Sequence, residues 1–217
     1  MSRAVVGLAT VVVGVALLAF VVGAFAAPRC AGDDEANVVH QVAALDAEND
    51  QPRQDAVPVS NEKTGERRAR PAALPVGLEI PRIGVRARVI RLGLNPDRSL
   101  EVPQDFAETG WWSGGPRPGD RGPAVIVGHV DSHTGPAVFF RIRELRPGDE
   151  IAVIRADGTR ARFVVEGSEE YPKADFPTAR VYGRTTGPTL RLVTCSGTFD
   201  QSSGHYLSNT VVYARAA

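Results

Sequence analysis

From Leu74 to the C-terminus, prolines and glycines interrupt the apolar runs so often that few helical periods survive. Pro75 and Pro81, with Gly77, Gly84 and Gly93, cut LPVGLEIPRIGVRARVIRLGL into pieces of strand length. AVIVGHV, residues 124–130, is a continuous apolar run, the pattern of a strand covered on both faces. DEIAVIRADGTRARFVVEGSEEY predicts a hairpin, with strands over 150–155 and 160–166 about an Asp157-Gly158 turn. TLRLVTC, 189–195, and NTVVYARA, 209–216, supply the last two strands. FFRIREL, 139–145, is the best candidate for a short helix, stopped by Pro147-Gly148. The 16 prolines and 22 glycines of the whole chain agree with this β-rich reading. Residues 74–217 are therefore expected to form a mainly β domain of seven or eight short strands, closed into a barrel or sandwich with short helical connections.

The N-terminal third is different. Residues 4–27 carry no charge and are mostly Val, Ala, Leu and Phe. An apolar helix of about 20 residues spans a bilayer core, and this run exceeds the roughly 7–15 residues of a signal-peptide core. Residues 1–27 are thus expected to be a transmembrane anchor, with a cleaved signal segment ending near AFAA as the alternative. Arg3 before the run predicts a cytoplasmic N-terminus and an extracytoplasmic remainder, a single-pass protein of the cell membrane. Cys30 lacks a preceding Leu-Ala-Gly run, which argues against a lipoprotein. Residues 28–73 mix prolines with both charges and show no hydrophobic period. They read as a disordered linker, and about 40 flexible residues would span about 35 Å.

With 25 basic and 25 acidic residues the chain has no net charge, which speaks against nucleic acid as partner. Its two cysteines are Cys30 and Cys195. Cys195 ends an apolar strand, where a small core residue, a disulfide with Cys30 and a nucleophile are all readings to weigh. An unpaired thiol outside the cell invites oxidation, so its presence there needs a reason. His129 follows a buried strand and a glycine, at the point where a strand opens into a loop. His129, Asp131 and His133 have the spacing of a zinc site only on a helix, and Thr134-Gly135-Pro136 argues against one, so no metal is predicted. No acidic cluster has the ligand count for calcium, and no cofactor is expected. A histidine and a cysteine brought together by a fold make a nucleophile with its general acid–base. A third group must then steady the oxyanion, and arginine is well suited to that.

VIVGHVDSHTGPAVFFRIRELRPGDEI, 125–151, and TLRLVTCSGTFD with GHYLSNTVVYA, between 189 and 214, resemble the sortase family, most closely its actinobacterial class E/F members. The second stretch is similar to the family's T-L-x-T-C signature, with the nucleophile at its end. The resemblance covers about residues 75–217 and implies an eight-stranded sortase β-barrel. It also implies a cysteine transpeptidase acting on secreted proteins with a C-terminal, LPXTG-like sorting signal. In that role Cys195 would attack the Thr-Gly carbonyl and form a thioacyl enzyme. His129 would protonate the leaving amine and then deprotonate the incoming one, carried by a peptidoglycan precursor or another amine acceptor. The partners expected are these proteins and acceptors, together with the membrane through residues 1–27.

One family feature is missing. Sortases carry a catalytic arginine at the start of the last strand, and here that neighbourhood reads Leu207, Ser208, Asn209. Alternation puts Arg191, Val193 and Cys195 on one face of a strand, so Arg191 is the leading candidate for the missing charge, about 13 Å from Cys195 along the backbone. Asn209 as a neutral donor and Arg141 after the histidine loop are the substitutes, both counted as substrate-binding candidates. Asp131 and His133 are candidates for orienting the His129 loop, His205 for bordering the site, and Trp111-Trp112 for packing or lining a groove. L,D-transpeptidases place a histidine close to the cysteine in a Ser-His-Gly-Cys run, and papain-like hydrolases put cysteine before histidine; neither pattern fits. The non-enzymatic alternative is a tethered barrel that binds envelope proteins without turnover, and the missing arginine is its main support.

Overall fold

The computed structural model describes residues 70–217. The expected membrane segment, and all but the last residues of the expected linker, lie outside that range. Among the described residues no helix is long and apolar enough to cross a membrane. The described residues form ten strands: β1 (Pro75–Ile80), β2 (Val85–Leu92), β3 (Thr109–Trp112), β4 (Gly122–Gly128), β5 (Asp131–Ser132), β6 (Gly135–Pro136), β7 (Glu150–Arg155), β8 (Arg160–Pro172), β9 (Pro188–Asp200) and β10 (His205–Ala216). Eight of them close a barrel in the order β1-β2-β3-β4-β9-β10-β8-β7, and β5 and β6 form a separate two-stranded ribbon. The β2–β3 and β4–β9 pairs are parallel and the other barrel pairs antiparallel.

Two apolar clusters follow from strand alternation. Leu78, Ile80, Ile126, Ile151, Phe163, Leu190, Leu192 and Val212 fill the barrel interior. The opposite faces of β4, β9 and β10 carry Val125, Val127, Val193, Val211 and Tyr213, and they too are buried. Their cover comes from the crossover between β8 and β9, with Phe176 and the short helix α1 (Thr178–Tyr182) supplying Val181 and Tyr182. That second layer is why β4 reads as unbroken Val and Ile, since both faces of the strand are removed from water.

Local expectations are met unevenly. The hairpin about Asp157-Gly158 is present, but its second strand runs on to Pro172. FFRIREL does not form an α-helix: a three-residue 3-10 turn, Ile142–Glu144, stands there, because Phe139, Ile142 and Leu145 turn inward to join the barrel core. β3 and α1 are additions. β3 holds Trp111 in the core, with its Nε1 donating to the Pro116 carbonyl at 3.0 Å, while Trp112 meets Tyr182 edge-on at 5.3 Å. Both tryptophans therefore serve packing.

β9 and β10 also outgrow their expected limits. They pair from Thr189↔Arg215 past Cys195↔Asn209 to Asp200↔His205. β9 does not end at Cys195 as expected but continues through Ser196-Gly197 to Asp200. Between Ser196↔Ser208 and Phe199↔Tyr206 the β9 side holds one residue more than the β10 side, which is a β-bulge. Gly197 occupies it at φ 80°, a backbone state open to glycine, and a Cβ there would lie 2.8 Å from the Ser208 hydroxyl.

Candidate active site

Parallel pairing decides where the chemistry gathers. Because β4 and β9 run the same way, their C-terminal ends reach the same rim of the barrel. The last registered pair between them is Val127↔Val193. His129, just past the end of β4, and Cys195, within β9, each follow that pair by two residues. On the other side of β9, Cys195 is registered against Asn209 of β10. Three adjacent segments thus contribute one candidate residue each.

Cys195 carries a thiol and is 5% exposed, and Asn209 is 2% exposed. His129 is half-buried. Its Nε2 lies 2.7 Å from the Pro103 carbonyl oxygen, an acceptor only, so Nε2 carries the proton and donates. Phe106 tilts against the imidazole with 4.7 Å between ring centres. The loop after His129 folds straight back on β4, with the Phe139 amide donating to the His129 carbonyl at 2.9 Å. Gly128 permits that approach, since a Cβ there would come within 2.8 Å of both Val138 and Phe139. The arrangement offers a nucleophile, a histidine with its tautomer fixed, and a side-chain amide beside the nucleophile.

Arg191 lies elsewhere. It is on the outer face of β9 as alternation requires, which is the face covered by α1 rather than the barrel interior. Its guanidinium stacks 4.6 Å from the centre of Tyr213, its own partner across the β9–β10 ladder, and Nη1 donates to the Leu190 carbonyl at 3.1 Å. Burial holds its pKa below the usual arginine value, and Nε has no acceptor. Arg180 lies 4.8 Å over the same ring and is ion-paired with Glu169, while the Tyr171 and Tyr213 hydroxyls meet at 3.0 Å. Burial, followed by the hydrogen bond to Glu169, raises the Tyr171 pKa. Arg191 thus belongs to an aromatic and arginine layer at its own level of the sheet, with Val193 between it and Cys195.

Arg141 is exposed and holds Glu144 through two hydrogen bonds of 2.8 and 2.6 Å. It lines a cavity of about 740 Å³ shared with Phe106, Val138 and Phe140, beside the histidine loop. Leu207, in the stretch where the family places its arginine, sits at the bulge and is 51% exposed. His133 is exposed and His205 half-buried. Asp131, by contrast, is 4% exposed and accepts a 2.6 Å hydrogen bond from the Tyr206 hydroxyl. Sequence reasoning did not single out Pro103, Phe106 or Tyr206. Pro103 acts through a backbone carbonyl, which leaves no side-chain signal.

The sortase-domain family model matches residues 78–217, well over half of the chain. The chain belongs to the sortase family. Among solved structures, this sortase is similar to sortase A from Corynebacterium diphtheriae, at 16% identity and TM-score 0.52, over 67% of this chain and 61% of that one. It is similar to sortase C-1 from Actinomyces oris at 20% identity and TM-score 0.51, over 66% and 74%. It is also similar to Streptococcus pneumoniae sortase C at 18% identity and TM-score 0.52, over 66% and 68%. At these identities the likeness is one of fold, and this sortase spans 61% of the C. diphtheriae chain it matches. No curated protein matches it by sequence. The eight-stranded barrel expected of a sortase is the barrel observed.

Proposed function

We propose that this sortase is a membrane-anchored cysteine transpeptidase that cleaves an LPXTG-like sorting signal of secreted proteins and joins them to an amine of the cell wall. The class E/F resemblance, the uncharged run over residues 4–27 and the polar stretch behind it support an extracytoplasmic domain held near the membrane. The observation that supports the catalytic reading is the β4–β9 register, whose last pair, Val127↔Val193, stands two residues before His129 and two before Cys195.

The thiolate of Cys195 attacks the carbonyl carbon between Thr and Gly of the sorting signal. The C–N bond breaks as His129 gives a proton to the leaving amine, leaving a thioester on Cys195. The incoming amine then attacks that thioester and loses a proton to His129, and the C–S bond breaks to release the amide product and restore the thiolate. Asn209, registered opposite Cys195, is the donor that steadies the tetrahedral oxyanion. This neutral amide takes the hydrogen-bond donor's part of the role expected of Arg191, because the arginine is engaged with Tyr213. Arg141 contributes to acceptor binding at the cavity it lines.

The test uses the full chain, a fluorogenic LPXTG-type peptide and a set of amines. Cleavage that disappears in Cys195→Ala, with an acyl adduct on Cys195 detected by mass spectrometry, is the expected result. Absence of cleavage and adduct across several sorting peptides would favour the barrel that only binds envelope proteins.

A further inference from the structure

The β4–β9 ladder stops at Val127↔Val193, so no strand pairing between them fixes the spacing of His129 and Cys195 beyond it. That spacing matters, because displacing a catalytic group by about 1 Å costs about a hundredfold in rate. A second connection reaches around the gap. Asp131, two residues after His129, accepts the Tyr206 hydroxyl at 2.6 Å, and the two side chains are 4% and 7% exposed. A buried carboxyl group is costly without a hydrogen-bond donor, and a short bond to a hydroxyl is the strong kind.

Both ends of this bond are held firmly. On the nucleophile side, the β9–β10 hairpin continues past Cys195 as an arm. The bulge at Gly197 bends it, since an extra residue in one strand kinks the pair and increases its twist. Phe199 packs edge-on against Tyr206 at 5.2 Å, and the turn at the arm's tip is fastened by Asp200, which accepts from Ser202 and Ser203. On the histidine side, Asp131 is locked into the β5–β6 ribbon against Pro136, and the Ala137 amide donates to the Val130 carbonyl at 3.1 Å. A closed path therefore runs from Cys195 through the bulge and Tyr206 to Asp131 and back to His129, without passing through β4.

We infer that the Tyr206–Asp131 hydrogen bond is a latch that sets the spacing of nucleophile and histidine, making both of them positioning residues for acyl transfer. The catalytic consequence rests on the function proposed above, whereas the mechanical one does not. The bend at Gly197 serves the same end, carrying Tyr206 to the histidine loop.

The deciding variant is Tyr206→Phe in the full chain, which keeps the ring and its contact with Phe199. Single-turnover acylation by a sorting peptide is expected to fall about tenfold with KM unchanged, the signature of lost positioning rather than lost binding. Hydrogen exchange is expected to speed up at the Ala137 and Phe139 amides, which close the histidine loop, and to stay unchanged at Leu192 and Val212. Asp131→Ala should behave as Tyr206→Phe does, the double variant should be no slower than either, and Asp131→Asn, which keeps an acceptor oxygen, should retain most of the rate. Unchanged loop exchange in Tyr206→Phe overturns the latch, and multiplying losses in the double variant overturn the coupling. Should the unaltered protein transfer no acyl group, the proposed function falls while the exchange measurement still decides the latch.

Discussion

β9 passes through two environments along its length. Up to Val193 it lies between β4 and β10, with apolar side chains above and below; beyond Val193 it keeps β10 alone and bends at Gly197. The first half is fixed by burial and by two ladders of hydrogen bonds. The second is fixed by a bulge, a turn and a few polar contacts. Cys195 stands at the junction, two residues past the last β4–β9 pair and still registered against Asn209 of β10. Arg191, only four residues back, lies wholly inside the rigid half, where its charge is stacked on Tyr213. The contrast shows that sharing a face of β9 with Cys195 does not give Arg191 the same surroundings.

The division can be broken at several points. The largest effect is expected at the junction: Cys195→Ala should abolish acylation while leaving the melting temperature near that of the unaltered protein, read by peptide cleavage and calorimetry. Inside the rigid half, Leu192→Ala opens a void in the barrel core and should cost about 2–5 kcal/mol in denaturant unfolding. Asn209→Ala should lower kcat about a hundredfold with a small change in stability, the scale of one lost oxyanion donor. Arg191→Met sharpens the contrast most directly. The lost cation–π contact, about 0.5–2 kcal/mol, is offset by removing a desolvated charge whose Nε has no acceptor, so stability should shift by less than about 1 kcal/mol. Acylation should then stay within about threefold of normal, and a loss near a hundredfold would return the arginine to the chemistry.

The smallest effect belongs to the arm. Hydrogen bonds from the Ser202 hydroxyl and amide, and from Ser203, hold the Asp200 carboxyl below the usual carboxylate range. A carboxyl whose pKa is depressed by folding contributes stability above its unfolded value, about 3.9, and loses that contribution as pH falls through the folded one. The stability difference between the unaltered protein and Asp200→Asn should therefore shrink as the pH drops below about 4, measured by unfolding at a series of pH values.

Much of this arrangement is legible in the residues. The run VIVGHV predicts a strand buried on both faces that ends in a loop, and TLRLVTC predicts the strand that carries the thiol; both are present. The strand expected to end at Cys195 runs on to Asp200, because Gly197 sits in a bulge after which pairing resumes. FFRIREL misleads because its apolar residues fill the barrel instead of forming one face of a helix. The place of Arg191 was half legible: alternation gives its face, while the cover over that face comes from α1, a five-residue helix too short to show a period. Nothing in Tyr206 taken alone announces Asp131, which lies 75 positions away and meets it through tertiary structure.

The parallel pairing of β4 with β9 also governs when the site comes into being. Strands joined in this way are registered across a long separation, here from Gly122↔Pro188 to Val127↔Val193. The β7–β8 hairpin lies within that interval and forms from local contacts, whereas the β4–β9 ladder must close a long loop of chain. Such closures come late and slow folding. The chain segments that carry His129 and Cys195 are therefore aligned only once this ladder has closed.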